Sequence, residues 1–223
     1  MPDVEQDADP PLSGLVVDWG GVLTGDLRPA VERWARRHGV DLGAYSEVLR
    51  TWLGPAGELE ARVNPIHALE RGEMEIPHFE ELLARELAER TGVVHDPTGL
   101  VERMFDEFEH APDMNALVRR ARSLGIRTAL LSNSWGEHYP RDLWDGMFDV
   151  VVISGEVGMR KPEPEIFELT LDRLGLSARE CVFVDDLAHN IEAAVRLGFV
   201  GVRHTDYEST ARELEALFGA PLA

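Results

Sequence analysis

Five short apolar runs, each ending on a polar residue, constrain this chain more than any other feature. They are Leu15–Asp18 (LVVD), Thr128–Ser132 (TALLS), Val150–Ser154 (VVVIS), Cys181–Asp185 (CVFVD) and Val200–Arg203 (VGVR). They are apolar almost throughout rather than alternating, the pattern of parallel strands buried on both faces. Helical spacing fills the later intervals. Met114–Leu124 ends at Gly125, Pro164–Leu174 at Gly175 and Ile191–Leu197 at Gly198, each a glycine suited to the position after a helix. This alternation predicts an α/β fold, a doubly wound parallel Rossmann-like sheet.

The first interval breaks the rhythm. A βαβ unit needs about 30 residues, and far more separate Asp18 from Ser132. Ala30–Gly39, Leu42–Leu53, Ile66–Arg71, His78–Thr91 and Leu100–His110 each repeat apolar residues every three or four positions, with no strand-like run between them. We therefore expect an all-helical cap domain at 28–110, inserted into a core of 14–27 and 111–223. The start, residues 1–13, is acidic and proline-bearing, and reads as a disordered tail rather than a signal peptide.

Charge narrows the partners. A formal net charge of −19 repels nucleic acid and anionic membranes. No apolar run reaches the length of a membrane span. The single cysteine, Cys181, opens an apolar run and reads as a buried small hydrophobe. A reducing cytoplasm is the expected setting. Of 22 basic residues only Lys161 is a lysine.

The chemistry-bearing residues follow the strands. In open α/β sheets ligands bind outside the carboxyl ends of the strands. Asp18 closes the first run and leads into Trp19-Gly20-Gly21. Ser132-Asn133 closes the second, Lys161 follows the third, and Asp185-Asp186 closes the fourth. Singly, an aspartate there is most often a turn former or cap, Ser132 a helix cap, and Lys161 an exposed lysine. Adjacent carboxylates at a strand end are different. They repel each other unless a cation or proton intervenes, and Mg²⁺ is a common solution.

Together, and in this order, these residues resemble the haloacid dehalogenase superfamily. The stretches LLSNSW, EVGMRKPEPEIF and VFVDDLAHN look especially like the N-terminal phosphatase domain of soluble epoxide hydrolases. Leu69–Leu83 fits the helical cap of that group. The resemblance spans Leu15 to about Gly201. It implies a Mg²⁺-dependent hydrolase of a small phosphorylated molecule. Asp18 would attack phosphorus and form an aspartyl phosphate. Mg²⁺ would bind Asp18, the backbone carbonyl of Gly20 and Asp186, with Asp185 close behind or sharing that role. Ser132 and the backbone N–H of Asn133 or Gly21 would hold phosphate oxygens. Lys161 would pair with Asp18 and the phosphate.

One position departs from that pattern. Phosphatases of the superfamily carry a second aspartate two residues after the nucleophile, which protonates the leaving group. Here that residue is Gly20. Three readings follow: a phosphatase that manages without this acid, a haloacid dehalogenase, or a catalytically weak binding or regulatory protein. The first is expected. Metal-free dehalogenases replace the acidic pair, which Asp185-Asp186 retains. Phosphonoacetaldehyde hydrolases need a cap lysine, and residues 28–110 contain none. Thr24, Asp26, Glu137, His138 and His189 lie near the motifs as substitute acids, each more often a surface residue. In the cap, Trp34, Trp52, Arg50, Arg62 and Arg71, with Trp135 beyond it, are candidates to line the pocket, though core packing and solvated faces are the commoner fates.

Overall fold

The computed structural model describes residues 10–53, 64–136 and 139–223. Five parallel strands form one sheet: β1 (Gly14–Val17), β2 (Arg127–Ser132), β3 (Val150–Ile153), β4 (Cys181–Asp185) and β5 (Val200–Arg203), in the order β3-β2-β1-β4-β5. β1 lies at the centre, with Val17 beside Leu130 of β2 and Val184 of β4. The chain winds outward from β1 in both directions, so the switch point falls where β1 and β4 meet.

The apolar runs are buried on both faces, as their composition requires. Leu15, Val17, Leu130 and Val184 point to one layer, closed by α6 (Pro112–Ser123) and α10 (Tyr207–Phe218). Val16, Ala129, Leu131 and Phe183 point to the other, closed by α8 (Pro164–Leu174) and α9 (Ala188–Leu197). Cys181 lies wholly inside this second layer, and burial pushes its thiol up to about 12. A single turn, α7 (Ser154–Val157), follows β3.

Among the described residues, five helices stand between β1 and α6: α1 (Leu27–His38), α2 (Leu42–Leu53), α3 (Pro65–Glu70), α4 (Ile76–Thr91) and α5 (Leu100–Phe105). They enclose their own core around Trp34, Val48, Phe79, Leu87 and Leu100. The segment leaves and rejoins the sheet through two strips lying side by side. Gly25 N–H donates to Glu109 O at 2.8 Å, Ala111 N–H donates to Leu23 O at 3.0 Å, and Thr24 bridges His110 in antiparallel fashion.

Three details differ from the sequence expectations. The last helix of this segment stops at Phe105 rather than reaching His110, because residues 109–111 are drawn into the paired strips. The body begins before Gly14. Leu12 packs on the core, and Ser13 bonds through its backbone to Glu180 and Arg127, so 12 and 13 are held rather than loose. Helix α10 has no counterpart in the sequence reading. Residues 1–9 and Arg62 lie outside the described residues. No helix among those described is long and apolar enough to cross a membrane.

Candidate active site

The carboxyl ends of β1, β2 and β4 bring the sequence-predicted residues into one place. Asp18 leaves β1 with its N–H bonded to Val184 O at 2.9 Å, which seats it beside the end of β4. Lys161 Nζ reaches Asp18 Oδ1 at 2.8 Å and Asp185 Oδ2 at 2.7 Å. Asp186 lies next to them, and carboxylate oxygens of Asp18, Asp185 and Asp186 all fall within 4.8 Å of one another. Three carboxylates thus crowd around one ammonium.

The electrostatics follow from that imbalance. Burial pushes the Asp18 carboxyl up to about 7; Lys161 opposes the rise, while Asp185 and Asp186 add to it. Burial and then the neighbouring Asp185 push Asp186 up to about 6. Burial works against the Lys161 ammonium, but Asp18 and Asp185 outweigh it and hold the pKa above the usual lysine range.

The two members of the acidic pair differ. Asp185 is closed to solvent, and its oxygens accept from Lys161, from Leu187 N–H at 2.8 Å and from Asn190 Nδ2 at 3.1 Å. Asp186 is half-buried and leans on the loop after β1. A Cβ at Gly21 would stand 2.8 Å from Asp186 Oδ2, and the backbone there has φ +73°. Glycine at 21 therefore serves both the turn and the close approach of the carboxylate.

Asn133 clamps the lysine loop. Its Oδ1 accepts from Lys161 N–H at 2.8 Å and its Nδ2 donates to Lys161 O at 3.0 Å. Both polar groups of its side chain are thereby engaged. The Gly21 N–H is already engaged with Thr24 Oγ1 at 2.8 Å, so the expectation that Gly21 supplies a phosphate donor does not fit this loop. Ser132, also buried, shares a hydrogen bond of 2.9 Å with the Tyr139 hydroxyl.

Asp18, Ser132, Lys161 and Asp186 border a cavity of about 320 Å³. The inserted segment contributes a mainly apolar wall, including Val31, Ile66, Met104, Phe105 and Phe108. A second cavity of about 520 Å³ touches Gly21 and Asp186 but none of Asp18, Ser132 and Lys161. The first is therefore the one the chemistry can use.

Several candidates resolve into other roles. Thr24 and Asp26 shape the turn into α1, with Asp26 Oδ1 accepting from Arg28 N–H at 2.9 Å. His189 borders the cavity. Glu137 and His138 lie outside the described residues. Trp34 is wholly buried in the helical core, Trp52 packs on Phe79, and Arg71 pairs with Glu163. Trp135 does line the cavity. Tyr139, Arg160, Glu70 and Asn190 belong to the site or its rim without having been singled out. Their signal is tertiary: Glu70 and Arg160 meet across ninety positions.

Comparison with known proteins shows the family. A model of the haloacid dehalogenase-like hydrolases matches residues 12–198. Acyl-CoA dehydrogenase family member 10 of Mus musculus is 32% identical over 93% of this chain, which spans only 19% of that protein. Bifunctional epoxide hydrolase 2 of Rattus norvegicus is 27% identical over 76% of the chain and 33% of its own length. Phosphatase MT3486 of Mycobacterium tuberculosis is 30% identical, with 82% of each protein covered. In fold, a Bacteroides thetaiotaomicron enzyme of the HAD family, solved with magnesium and inorganic phosphate, superposes with a TM-score of 0.62 at 19% identity, covering 87% of this chain and 94% of its own. The chain belongs to the haloacid dehalogenase-like hydrolase family.

Proposed function

We propose that the chain is a Mg²⁺-dependent phosphatase of small phosphate monoesters with an apolar body, and that Asp18 is its nucleophile. The observation that carries this reading is Lys161 held between Asp18 and Asp185 with Asp186 alongside. One ammonium leaves this carboxylate cluster short of positive charge, and a divalent cation supplies it. The donor set fits Mg²⁺, which favours one or two carboxylates with phosphate oxygens and water. Asp18, Asp186 and the Gly20 carbonyl would hold it. Asp185 is occupied by Lys161, Leu187 and Asn190, which favours a supporting place for it. Bound there, the ion would neutralise charge on the transferring phosphoryl group.

The chain's own residues supply the rest. An Asp18 carboxylate oxygen forms a bond to phosphorus as the ester oxygen departs with the bonding electrons. Lys161 reduces the repulsion between Asp18 and the incoming phosphate. Ser132 and the Asn133 N–H bind phosphate oxygens. Gly20 offers no proton, so the departing oxygen takes one from solvent. Water then cleaves the aspartyl phosphate and restores Asp18. Residues 28–110 act as the cap, and their apolar wall receives the substrate's body and keeps bulk water away.

The test is phosphate release from p-nitrophenyl phosphate and from medium-chain alkyl phosphates, with Mg²⁺ and with EDTA. Turnover in Mg²⁺ and none in EDTA is expected. Metal-independent turnover contradicts the reading.

A further inference from the structure

Of the groups assigned to the phosphate, Ser132 alone carries a single rotatable proton. A hydroxyl has one O–H to give, and the oxygens of a phosphate dianion can only accept, so that proton has to face the phosphate. Among the described residues the one hydrogen-bond partner of Ser132 Oγ is the Tyr139 hydroxyl, at 2.9 Å. Two arrangements satisfy that distance. In the first, Ser132 donates to Tyr139 and Tyr139 donates to Asn133 O, 3.5 Å away, which spends the serine proton inside the protein. In the second, Tyr139 donates to Ser132 and leaves the serine proton for a ligand oxygen.

The surroundings favour the second arrangement once phosphate is present. The 3.5 Å contact lies at the outer limit of a hydrogen bond, so Asn133 O competes weakly for the Tyr139 proton. Burial pushes the phenol above its ordinary value of 10.0, so it stays protonated and able to donate. The ring is held without help from its hydroxyl: it meets Trp19 edge-on with centroids 5.0 Å apart, and Trp144 lies 5.5 Å away on another side. Tyr139 and Ser132 border the same cavity as Asp18 and Lys161. A phosphate oxygen that accepts from Ser132 then ends a chain running from Tyr139 through Ser132, in which each hydrogen bond polarises the next.

We propose that Tyr139 is a positioning residue, whose hydroxyl donates to Ser132 and so turns the serine proton toward the phosphate. The inference rests on the phosphatase reading. It adds to it a residue that acts on phosphate only through Ser132, and therefore serves every substrate alike, whatever its body.

The experiment is a double-mutant cycle of Y139F and S132A, read with p-nitrophenyl phosphate and with short and medium-chain alkyl phosphates in Mg²⁺. Y139F keeps the ring and its contacts with Trp19 and Trp144, and removes one oxygen. It is expected to lower kcat/KM about tenfold, the scale of one hydrogen bond, and by the same factor for every substrate. The inhibition constant of inorganic phosphate is expected to rise in parallel. S132A/Y139F is expected to lose no more than S132A alone, because without the serine hydroxyl Tyr139 has nothing to orient. Three results overturn the proposal: Y139F as active as the wild type, losses that multiply in the double variant, or a loss confined to the longer alkyl phosphates, which would make Tyr139 only part of the cavity wall. Failure of the underlying reading looks different: the wild type itself releases nothing from any phosphate, p-nitrophenyl phosphate included, and the proposal falls with it.

Discussion

Lys161 and Asp185 are closed to solvent and face each other at 2.7 Å, one after α7 and the other at the end of β4. Asp185 thereby orients the ammonium that also reaches Asp18. Removing one member of a buried pair leaves the other charge uncompensated and typically costs about 3–5 kcal/mol. Lys161→Met is therefore expected to lower stability by about that amount as well as abolish turnover. Urea denaturation checks it. A loss below about 1 kcal/mol would show that the pair contributes little.

A pH dependence follows from the same crowding. Asp18 and Asp186 are pushed up to about 7 and about 6, from an ordinary value of 3.8. Between those limits these two groups bind more protons in the native protein than in the unfolded chain, so their contribution to stability falls as pH rises, whereas His67, pushed down to about 4 chiefly by burial, works the other way below its ordinary 6.5. Above pH 6.5 the histidine contribution is spent, so the Tm of the protein in EDTA is expected to drop between pH 6.5 and pH 8, and to drop less in Asp186→Asn. Mg²⁺ competes with these protons, so the rise in Tm that it produces is expected to be larger at pH 8 than at pH 5. A Tm in EDTA that rises between pH 6.5 and pH 8 would contradict the charge balance of the site.

Gly20 invites the reverse substitution. Its φ is not positive, and an added Cβ would meet only Leu27 Cδ1, at 3.4 Å. Gly20→Asp should therefore be accommodated. The wild type, lacking an acid there, is expected to depend steeply on leaving-group pKa, favouring aryl over alkyl phosphates. Gly20→Asp is expected to accelerate alkyl phosphates most, by up to ~10²-fold. A flat plot of kcat/KM against leaving-group pKa for the wild type would mean that another group already donates the proton.

Much of the scaffold was legible in the sequence because parallel strands buried on both faces are written as unbroken apolar runs. All five runs lie within one residue of the strands observed. Asp18, Ser132, Lys161 and Asp185 were legible because each sits at or just beyond the end of an element. Contacts between distant segments were not. Arg160 beside a lysine in GMRKP looks like a surface residue until Glu70 arrives from α3. Tyr139 gives no local sign that it will reach Ser132. Phe108 continues the helical spacing of α5, yet the chain has already turned at Asp106 to lay Glu109 along Gly25.

The central claim is that Asp18 carries the phosphoryl group in a Mg²⁺-dependent reaction. The most direct measurement mixes enzyme with Mg²⁺ and an aryl phosphate, quenches in acid within the first turnover, and maps the added mass by peptide mass spectrometry. A phosphoryl group on the peptide containing Asp18 is predicted, lost in Asp18→Asn and in EDTA. An unmodified Asp18 in an enzyme that still releases phosphate, or halide release from a 2-haloacid in EDTA, would contradict it.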